Sequence, residues 1–275
     1  MWEFKVIDIL NYNRNKLHGV FDFDGTLVNP KYKNLSVANI DYLDRSGKYG
    51  RYKCLLREVL NSLEKTGIGY RNTIEEITQN LCDFAVRTFD WHSATLKVVK
   101  ETELDKPTKN FLKILQKVPA AKFKIFTGGE ESAAKLYVKN KIAQHIPNVE
   151  IEVHGTVLGT DGRGYFTGDI IEPLWDAEER ANETREFIFN KFDKLSCGAG
   201  DKKLTDLPFL RYPTASYLLR GPATAYQIGR VEGNVKYIDR KDLAKEFKKF
   251  LNTDAREVPL PITNLNVVTP LVRRG

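Results

Sequence analysis

Two kinds of pattern alternate along this chain. Short apolar runs that stop at a charged residue or a glycine are typical of strands buried in a parallel sheet. They predict strands at 17–23, 122–126, 195–199, 215–219 and 235–238, with a hairpin formed by 149–158 and 165–171. Helices are predicted at 132–146, 177–192 and 241–251. This alternation favours an α/β fold with an open, doubly wound and mostly parallel sheet.

The segment from 29 to 118 has a different texture. Apolar residues recur every three or four positions at 52–65, 73–89 and 92–103, as they do in amphipathic helices. Thr73 followed by Glu76 has the spacing of a capping box at the second of these helices. The segment lacks a convincing strand, so we interpret it as an inserted α-helical cap. The predicted organisation is an α/β core at 1–28 and 119–251, a cap at 29–118 and a tail at 252–275.

The composition is that of a folded protein in a reducing compartment. The 275 residues, 41% hydrophobic and 29% charged, are enough for two domains or one large one. No run approaches the ~18 consecutive apolar residues of a membrane helix, and the first residues lack the pattern of a signal peptide. Cys54, Cys82 and Cys197 are odd in number and far apart, which argues against a disulfide framework or a zinc cluster. We therefore expect a cytoplasmic protein with no membrane partner.

The net charge of the chain says little about which partners it binds. Lys and Arg number 43 against 36 Asp and Glu, a net charge of +7 that attracts anions. The basic residues are spread along the chain, which favours a solvated surface over a nucleic-acid-binding one. Small phosphorylated molecules are anions too. The oligomeric state is left open.

Polar loops follow three of the predicted strands. They contain Asp22 and Asp24, Thr127 with Gly128 and Gly129, and Gly200 with Asp201. Ligands of open α/β sheets bind at the carboxyl ends of the strands, so we expect these loops to converge on one site. Crowded carboxylates need a cation, and hard oxygen ligands suit Mg²⁺, which in turn favours phosphate-bearing substrates. A threonine hydroxyl and glycine N–H groups ahead of a helix suit an anion.

These residues resemble the motifs of the haloacid dehalogenase superfamily of phosphohydrolases. The stretch Asp22-Phe23-Asp24-Gly25-Thr26 is similar to the first motif, and Phe126-Thr127-Gly128-Gly129 to the second. Gly200-Asp201, with Asp206 five residues further on, is similar to the fourth. The segment 155–189 resembles the phosphoserine-phosphatase-like branch, which carries a helical cap between its first and second motifs. The resemblance implies a Rossmann-like core and covers roughly residues 17–240.

The resemblance also implies a role for each matching position. Asp22 would be the nucleophile that forms an aspartyl-phosphate, and Asp24 would protonate the leaving oxygen and then activate water. Asp22, the backbone carbonyl of Asp24, and Asp201 would hold Mg²⁺, with Asp206 supporting them from behind. The phosphoryl group would be bound by Thr127, with Gly128 and Gly129 beside it.

Three departures from the family pattern bear on activity and substrate. Arg180 stands where the third motif usually supplies a lysine; it keeps the charge but has a broader, planar head, and we expect it to contact the phosphoryl group and to act in catalysis. Lys202 and Lys203 stand where the branch often has small or polar residues, and the gap to Asp206 is one residue longer than usual. No acidic residue follows the first motif in register, which disfavours phosphoserine as the substrate.

The sequence therefore predicts a Mg²⁺-dependent phosphatase that acts on a small phosphorylated metabolite. Three alternatives stay open. The protein would be a phosphotransferase if an alcohol replaced water as the acceptor, or a silent relative that binds phosphate ligands without turnover. An end phosphatase of nucleic acids is the third, suggested by the basic charge alone.

Overall fold

A computed structural model describes residues 17–28, 35–47, 70–118, 121–172, 177–189, 196–220 and 225–252. Within these ranges eight strands form one mixed sheet, in the order β4-β3-β2-β1-β5-β6-β8-β7. The strands are β1 (Leu17–Asp22), β2 (Ala121–Glu130), β3 (Val149–Thr160), β4 (Phe166–Glu172), β5 (Ser196–Gly200), β6 (Ala215–Leu219), β7 (Val231–Glu232) and β8 (Val235–Ile238). The six central strands are parallel, and an antiparallel strand closes each edge. The predicted mostly parallel α/β sheet is confirmed.

The helices in the described ranges cover both faces of the sheet. They are α1 (Leu35–Arg45), α2 (Tyr70–Asp83), α3 (Thr88–Glu101), α4 (Lys106–Leu115), α5 (Glu131–Tyr137), α6 (Ala177–Phe189), α7 (Lys203–Leu210) and α8 (Leu243–Asn252). On one face the ring of Phe111 packs edge-on against Phe21 and Phe247, with centroids 5.5 and 5.2 Å apart. On the other face Phe126 packs against Phe209 at 5.5 Å. Two buried apolar clusters, one for each face, make the fold doubly wound.

The central strand β1 is buried along its whole length, because it lies between β2 and β5 with helices on both sides. Its register pairs Leu17 with Ala121 and Asp22 with Phe126 on β2. Strands buried on both faces are apolar almost throughout, and the run from Leu17 to Phe23 follows this rule apart from His18, Gly19 and Asp22. The carboxylate of Asp22 therefore lies near the middle of the sheet, at the edge where the parallel strands end.

The helices α1, α2 and α3 lie in the predicted cap. Two of them correspond to predicted helices, at 73–89 and 92–103, while the helix predicted at 52–65 and the tail beyond residue 252 lie outside the described residues. Trp91 on α3 donates its indole N–H to Glu130 at 3.1 Å, which ties this helix to the end of β2. The helix α4, although it falls within 29–118, packs on β1 and α8 through Phe111. The division into core and cap stays a prediction, and this contact favours a boundary before α4.

Two element predictions need correction. The strand expected to stop at Phe126 continues to Glu130, because its pairing with β3 shifts register between Phe126 and Glu130 and absorbs extra residues as a bulge. The helix predicted at 132–146 is α-helical as far as Tyr137 and then continues as a π-helical turn and a 3₁₀ turn. In the part of the chain described by the structure, no helix combines the length and hydropathy needed to cross a bilayer.

Candidate active site

The candidate site lies where the central strand of the sheet ends. Asp22 is the last residue of β1, and Asp201 follows β5, the parallel neighbour of β1. Thr127 lies on β2, the parallel neighbour on the other side. The carboxyl ends of neighbouring parallel strands lie side by side. The structure thus brings the three polar loops together at one edge.

Three carboxylates form a cluster at this edge. Asp22, Asp201 and Asp206 each place an oxygen so that these atoms all lie within 4.8 Å of one another. Gly25 permits the approach, since it has φ +87° and a Cβ there would lie 2.1 Å from Oδ2 of Asp201. Oδ2 of Asp22 and Oδ1 of Asp201 are buried and have no hydrogen-bond partner among the described residues. Buried acceptors without a hydrogen-bond partner destabilise the folded protein unless they bind a proton or a cation.

Asp206 is the member of the cluster whose two oxygens are both in use. Its Oδ2 accepts the backbone N–H groups of Asp201 at 2.9 Å and Lys202 at 2.8 Å. Its Oδ1 accepts the hydroxyl of Thr205 at 2.8 Å and Nη1 of Arg180 at 3.3 Å. Asp206 therefore fixes the loop that carries Asp201. This geometry suits a supporting residue better than a direct metal ligand.

Arg180 lies buried between two of the carboxylates. Its Nη1 is 3.3 Å from Oδ1 of Asp22 and 3.3 Å from Oδ1 of Asp206, and the side chain is 3% exposed. The helix α6 carries it to this position from the face of the sheet. The positive charge of a buried guanidinium offsets the repulsion between the two buried carboxylates beside it. Where the family pattern has lysine, this chain thus places a cation against Asp22.

Asp24 occupies the turn after β1, and its carboxylate is not part of the cluster of three. Its Oδ1 accepts the N–H of Leu35, the first residue of α1, at 3.1 Å. Its Oδ2 accepts the hydroxyl of Thr127 at 2.8 Å. The sequence prediction gave Asp24 a metal contact through its backbone carbonyl, and that contact stays a prediction. The separate position of the side chain suits proton transfer.

The second motif differs in part from the sequence expectation. Thr127, Gly128 and Gly129 lie within the bulged end of β2 rather than in a loop after the strand. The N–H of Gly129 donates to Oγ1 of Thr127 at 3.0 Å. The carbonyl of Gly128 accepts the hydroxyl of Thr156 at 2.9 Å, which holds the bulge in place. The phosphate-binding roles of Gly128 and Gly129 stay predictions.

Burial dominates the electrostatics of these acids. It raises the pKa of Asp22 well above its usual range, and the neighbouring carboxylates of Asp206 and Asp201 raise that pKa further. It also raises the pKa of Asp24, although the positive charge of Lys202 opposes this. The pKa of Asp201 rises to about 7, again mainly through burial. Mutually repelling acids with raised pKa values are characteristic of functional sites.

The two lysines of the fourth motif act on different parts of the molecule. The charge of Lys202, an exposed residue, lowers the pKa values of Asp22 and Asp24. The charge of Lys203 instead lowers the pKa of Glu232, on the edge strand β7. Of the two, Lys202 is therefore the one that contributes to the field of the site.

No family model matches the sequence, and no curated protein matches it either. Solved structures match over most of the chain. A protein of unknown function from Bordetella pertussis aligns with a TM-score of 0.58 at 16% identity, covering 82% of this chain and 99% of that one. A probable phosphoserine phosphatase from Vibrio cholerae aligns at 0.54 and 11%, covering 86% and 68%. A haloacid dehalogenase-like hydrolase from Burkholderia xenovorans aligns at 0.51 and 9%, covering 86% and 99%.

The chain has the haloacid dehalogenase fold. The resemblance that the motifs carry is thereby confirmed at the level of the fold, which is what likeness at such identities shows. The motif residues lie together at the carboxyl edge of the sheet, and their individual roles stay predictions.

The acidic cluster fits the Mg²⁺ that the haloacid dehalogenase fold implies. All of its donors are carboxylate oxygens, the hard ligands that this ion prefers. Asp22 and Asp201 each offer an orphaned oxygen, whereas both oxygens of Asp206 already accept hydrogen bonds from the protein. Asp22 and Asp201 would therefore hold the ion, and Asp206 would orient them.

Arg240, which the sequence does not single out, braces the turn after β1. Its Nη1 donates to the backbone carbonyls of Gly25 and, at 3.2 Å, Val28. Its Nη2 donates to the hydroxyl of Thr108 at 2.7 Å and lies 3.4 Å from Oδ1 of Asp105. The partners are 132 to 215 residues away along the chain, so no local pattern could have revealed the contact. Through Gly25 the brace fixes the turn that follows Asp24.

Replacing Arg240 with Gln should loosen this turn. We expect the free energy of unfolding to fall by about 1–3 kcal/mol, because buried carbonyls lose a charged donor, and the affinity of the acidic cluster for added Mg²⁺ to fall. Chemical denaturation and a Mg²⁺ titration measure the two effects. Arg163→Gln, at a side chain 85% exposed in the turn between β3 and β4, is the matched control and should stay within about 0.5 kcal/mol of wild type. Equal stability of the two variants would contradict the brace.

Proposed function

We propose that this protein is a Mg²⁺-dependent phosphatase that hydrolyses a small phosphomonoester through an aspartyl-phosphate on Asp22. The observation that carries the proposal is the pair of orphaned carboxylate oxygens on Asp22 and Asp201, at the carboxyl edge of a haloacid dehalogenase fold. Arg180 contacts Asp22 from one side, and Asp24 lies in the turn just beyond it. This set contains a nucleophile, a cation-binding pair and a separate acid.

In the first half of the reaction a carboxylate oxygen of Asp22 bonds to phosphorus while the bond from phosphorus to the ester oxygen breaks. The alcohol oxygen takes its proton from the carboxyl of Asp24. Asp24 suits this task because burial raises its pKa, which favours the protonated form that an acid needs. Its hydrogen bonds from Leu35 and Thr127 fix its orientation.

In the second half water attacks the phosphorus, and Asp24, now ionised, takes a proton from that water. Inorganic phosphate leaves and the carboxylate of Asp22 is restored. Arg180 stays in contact with Asp22 and Asp206 and offsets their charge. A bound Mg²⁺, held by Asp22 and Asp201, would neutralise charge on the phosphoryl group.

The small size of the substrate is supported by the burial of the site. Asp22, Asp24, Thr127 and Arg180 are between 1% and 3% exposed. The helix α1 lies directly over Asp24, since the N–H of its first residue donates to that carboxylate. The first turn of α1 therefore narrows the approach to Asp24, which favours a small ester over a large folded phosphoprotein. A closed site of this kind also excludes bulk water during the reaction.

The test is phosphate release from a panel of small phosphomonoesters, with Mg²⁺ present or removed by a chelator. We expect release with Mg²⁺, its loss on chelation and its recovery when the ion is added back, because Asp22 and Asp201 repel each other without a cation. Binding of the ion should also raise the melting temperature, by an amount that grows with the logarithm of the Mg²⁺ concentration above the dissociation constant. Release that persists at full rate under chelation would contradict the metal dependence.

The other functions left open by the sequence are outcomes of the same experiment. Transfer of the phosphoryl group to added alcohols, in place of release, would indicate a phosphotransferase. A folded protein that binds Mg²⁺ but releases no phosphate from any ester would indicate a silent phosphate-binding relative. Release only from oligonucleotide ends, with steep salt dependence, would indicate a nucleic-acid phosphatase.

A further inference from the structure

The first turn of helix α1 reaches into the candidate active site. The N–H of Leu35 donates to Oδ1 of Asp24 at 3.1 Å, and the next residue, Ser36, is 3% exposed. This helix belongs to the segment between the first two motifs, so its side chains were not among the predicted site residues. Ser36 nevertheless follows directly on the residue that contacts Asp24, the proposed proton donor.

The space beside Gly129, which has no side chain of its own, lies close to the side chains of Ser36, Thr127 and Asp24. A Cβ at Gly129 would lie 3.3 Å from Oγ of Ser36, 3.3 Å from Oγ1 of Thr127 and 4.0 Å from Oδ2 of Asp24. Three side-chain oxygens, from α1, from β2 and from the turn after β1, thus surround one small space. A hydroxyl that lines such a space can donate a hydrogen bond to a ligand atom placed there.

We propose that Ser36 is a catalytic residue that hydrogen-bonds the leaving-group oxygen, an inference that rests on the proposed phosphatase function. The ester oxygen must come within hydrogen-bonding distance of the Asp24 carboxyl to receive its proton. The hydroxyl of Thr127, which the sequence predicts to bind the phosphoryl group, donates to Asp24 from the sheet, whereas Ser36 lies on α1 across the space beside Gly129. The group on the α1 side therefore meets the alcohol portion of the ester.

The proton balance of the step is simple. As the bond from phosphorus to oxygen breaks, negative charge develops on the ester oxygen, and the hydroxyl of Ser36 donates a hydrogen bond to it. The proton that ends on the alcohol comes from Asp24, and Ser36 keeps its own proton throughout. Transition states of phosphoryl transfer are loose, so the charge on the leaving oxygen is large when the alcohol is a poor leaving group. The contribution of Ser36 should grow with the pKa of the alcohol.

A leaving-group series tests this directly. Wild type, Ser36→Ala and Ser36→Thr are compared on phosphate esters that run from p-nitrophenol through less acidic phenols to a primary alkyl alcohol, with Mg²⁺ present. We expect Ser36→Ala to lower kcat/KM by about 10- to 100-fold for the alkyl ester and by less than about threefold for p-nitrophenyl phosphate, whose leaving group needs little help. Ser36→Thr keeps the hydroxyl and should recover most of the rate for the alkyl ester.

Ser46→Ala is the matched control, since it removes a hydroxyl next to the far end of the same helix, where Oγ donates to the carbonyl of Leu43 at 2.6 Å. It should leave the whole series unchanged. An equal loss in Ser36→Ala for every ester, or no loss for any of them, would overturn the role of Ser36 while leaving the phosphatase function standing. No release by wild type from any ester would overturn the phosphatase function, and this inference with it.

Discussion

Asp22→Asn should lose phosphatase activity almost completely, with kcat lower by about 10⁴- to 10⁶-fold. An amide has neither the charge nor the nucleophilicity to form the bond to phosphorus. Its carbonyl oxygen can still accept the hydrogen bond that Arg180 now donates to Oδ1 of Asp22. Phosphate release from the best ester of the panel measures the loss.

The same substitution should leave the fold intact. Burial and the repulsion from Asp206 and Asp201 raise the pKa of Asp22, so the ionised side chain is held there at a cost. Without Mg²⁺, a neutral amide at this position removes the repulsion, and we expect a melting temperature equal to or above that of wild type. Asp169→Asn, at an exposed position on β4, is the control and should keep full activity. Activity of Asp22→Asn at the level of this control would rule out Asp22 as the nucleophile.

Asp24→Asn should show the second largest effect, and its size should depend on the substrate. For an alkyl ester we expect kcat to fall by about 10²- to 10⁴-fold, the usual worth of an acid–base group. With p-nitrophenyl phosphate the first step needs no proton donor, but the attack of water still needs a base. The variant should therefore release one equivalent of nitrophenol per site in a burst and then turn over slowly.

Rapid-mixing absorbance measurements distinguish this result from its alternatives. A burst followed by a slow phase places Asp24 in the second step, and the loss of activity on the alkyl ester places it in the first. Linear release of nitrophenol at the wild-type rate would contradict the role of Asp24 as the base, and full activity of the variant on the alkyl ester would contradict its role as the acid. The hydrogen bonds from Leu35 and Thr127 make Asp24 a well-anchored side chain, so circular dichroism should confirm that the variant keeps the wild-type fold.

The strands were predictable because their physical signal is local. The runs at 215–219 and 235–238 are apolar, short and bounded by polar residues, and the observed strands Ala215–Leu219 and Val235–Ile238 have the same limits. The position of Asp22 at the end of β1 follows from the same rule. Loops at the carboxyl edge of a parallel sheet must lie together, so the sequence also predicted which loops would meet.

Features that depend on tertiary contacts were not predictable. The extension of β2 through Gly128 and Gly129 depends on its bulged pairing with β3. The contact of Arg240 with the turn after β1 joins residues more than 200 positions apart. The placement of Ser36 beside Asp24 depends on where α1 docks, which its own sequence does not encode. Each of these features depends on which distant residues come into contact, whereas local sequence patterns determine only local conformation.

The most direct measurement is to trap the covalent intermediate. Asp24→Asn is mixed with p-nitrophenyl phosphate and Mg²⁺, quenched in acid during the slow phase, digested and analysed by mass spectrometry. We expect a peptide that carries one added phosphoryl group on Asp22, absent from the Asp22→Asn protein and from samples without Mg²⁺. A burst of nitrophenol with no label on Asp22, or a label on another residue, would contradict this expectation.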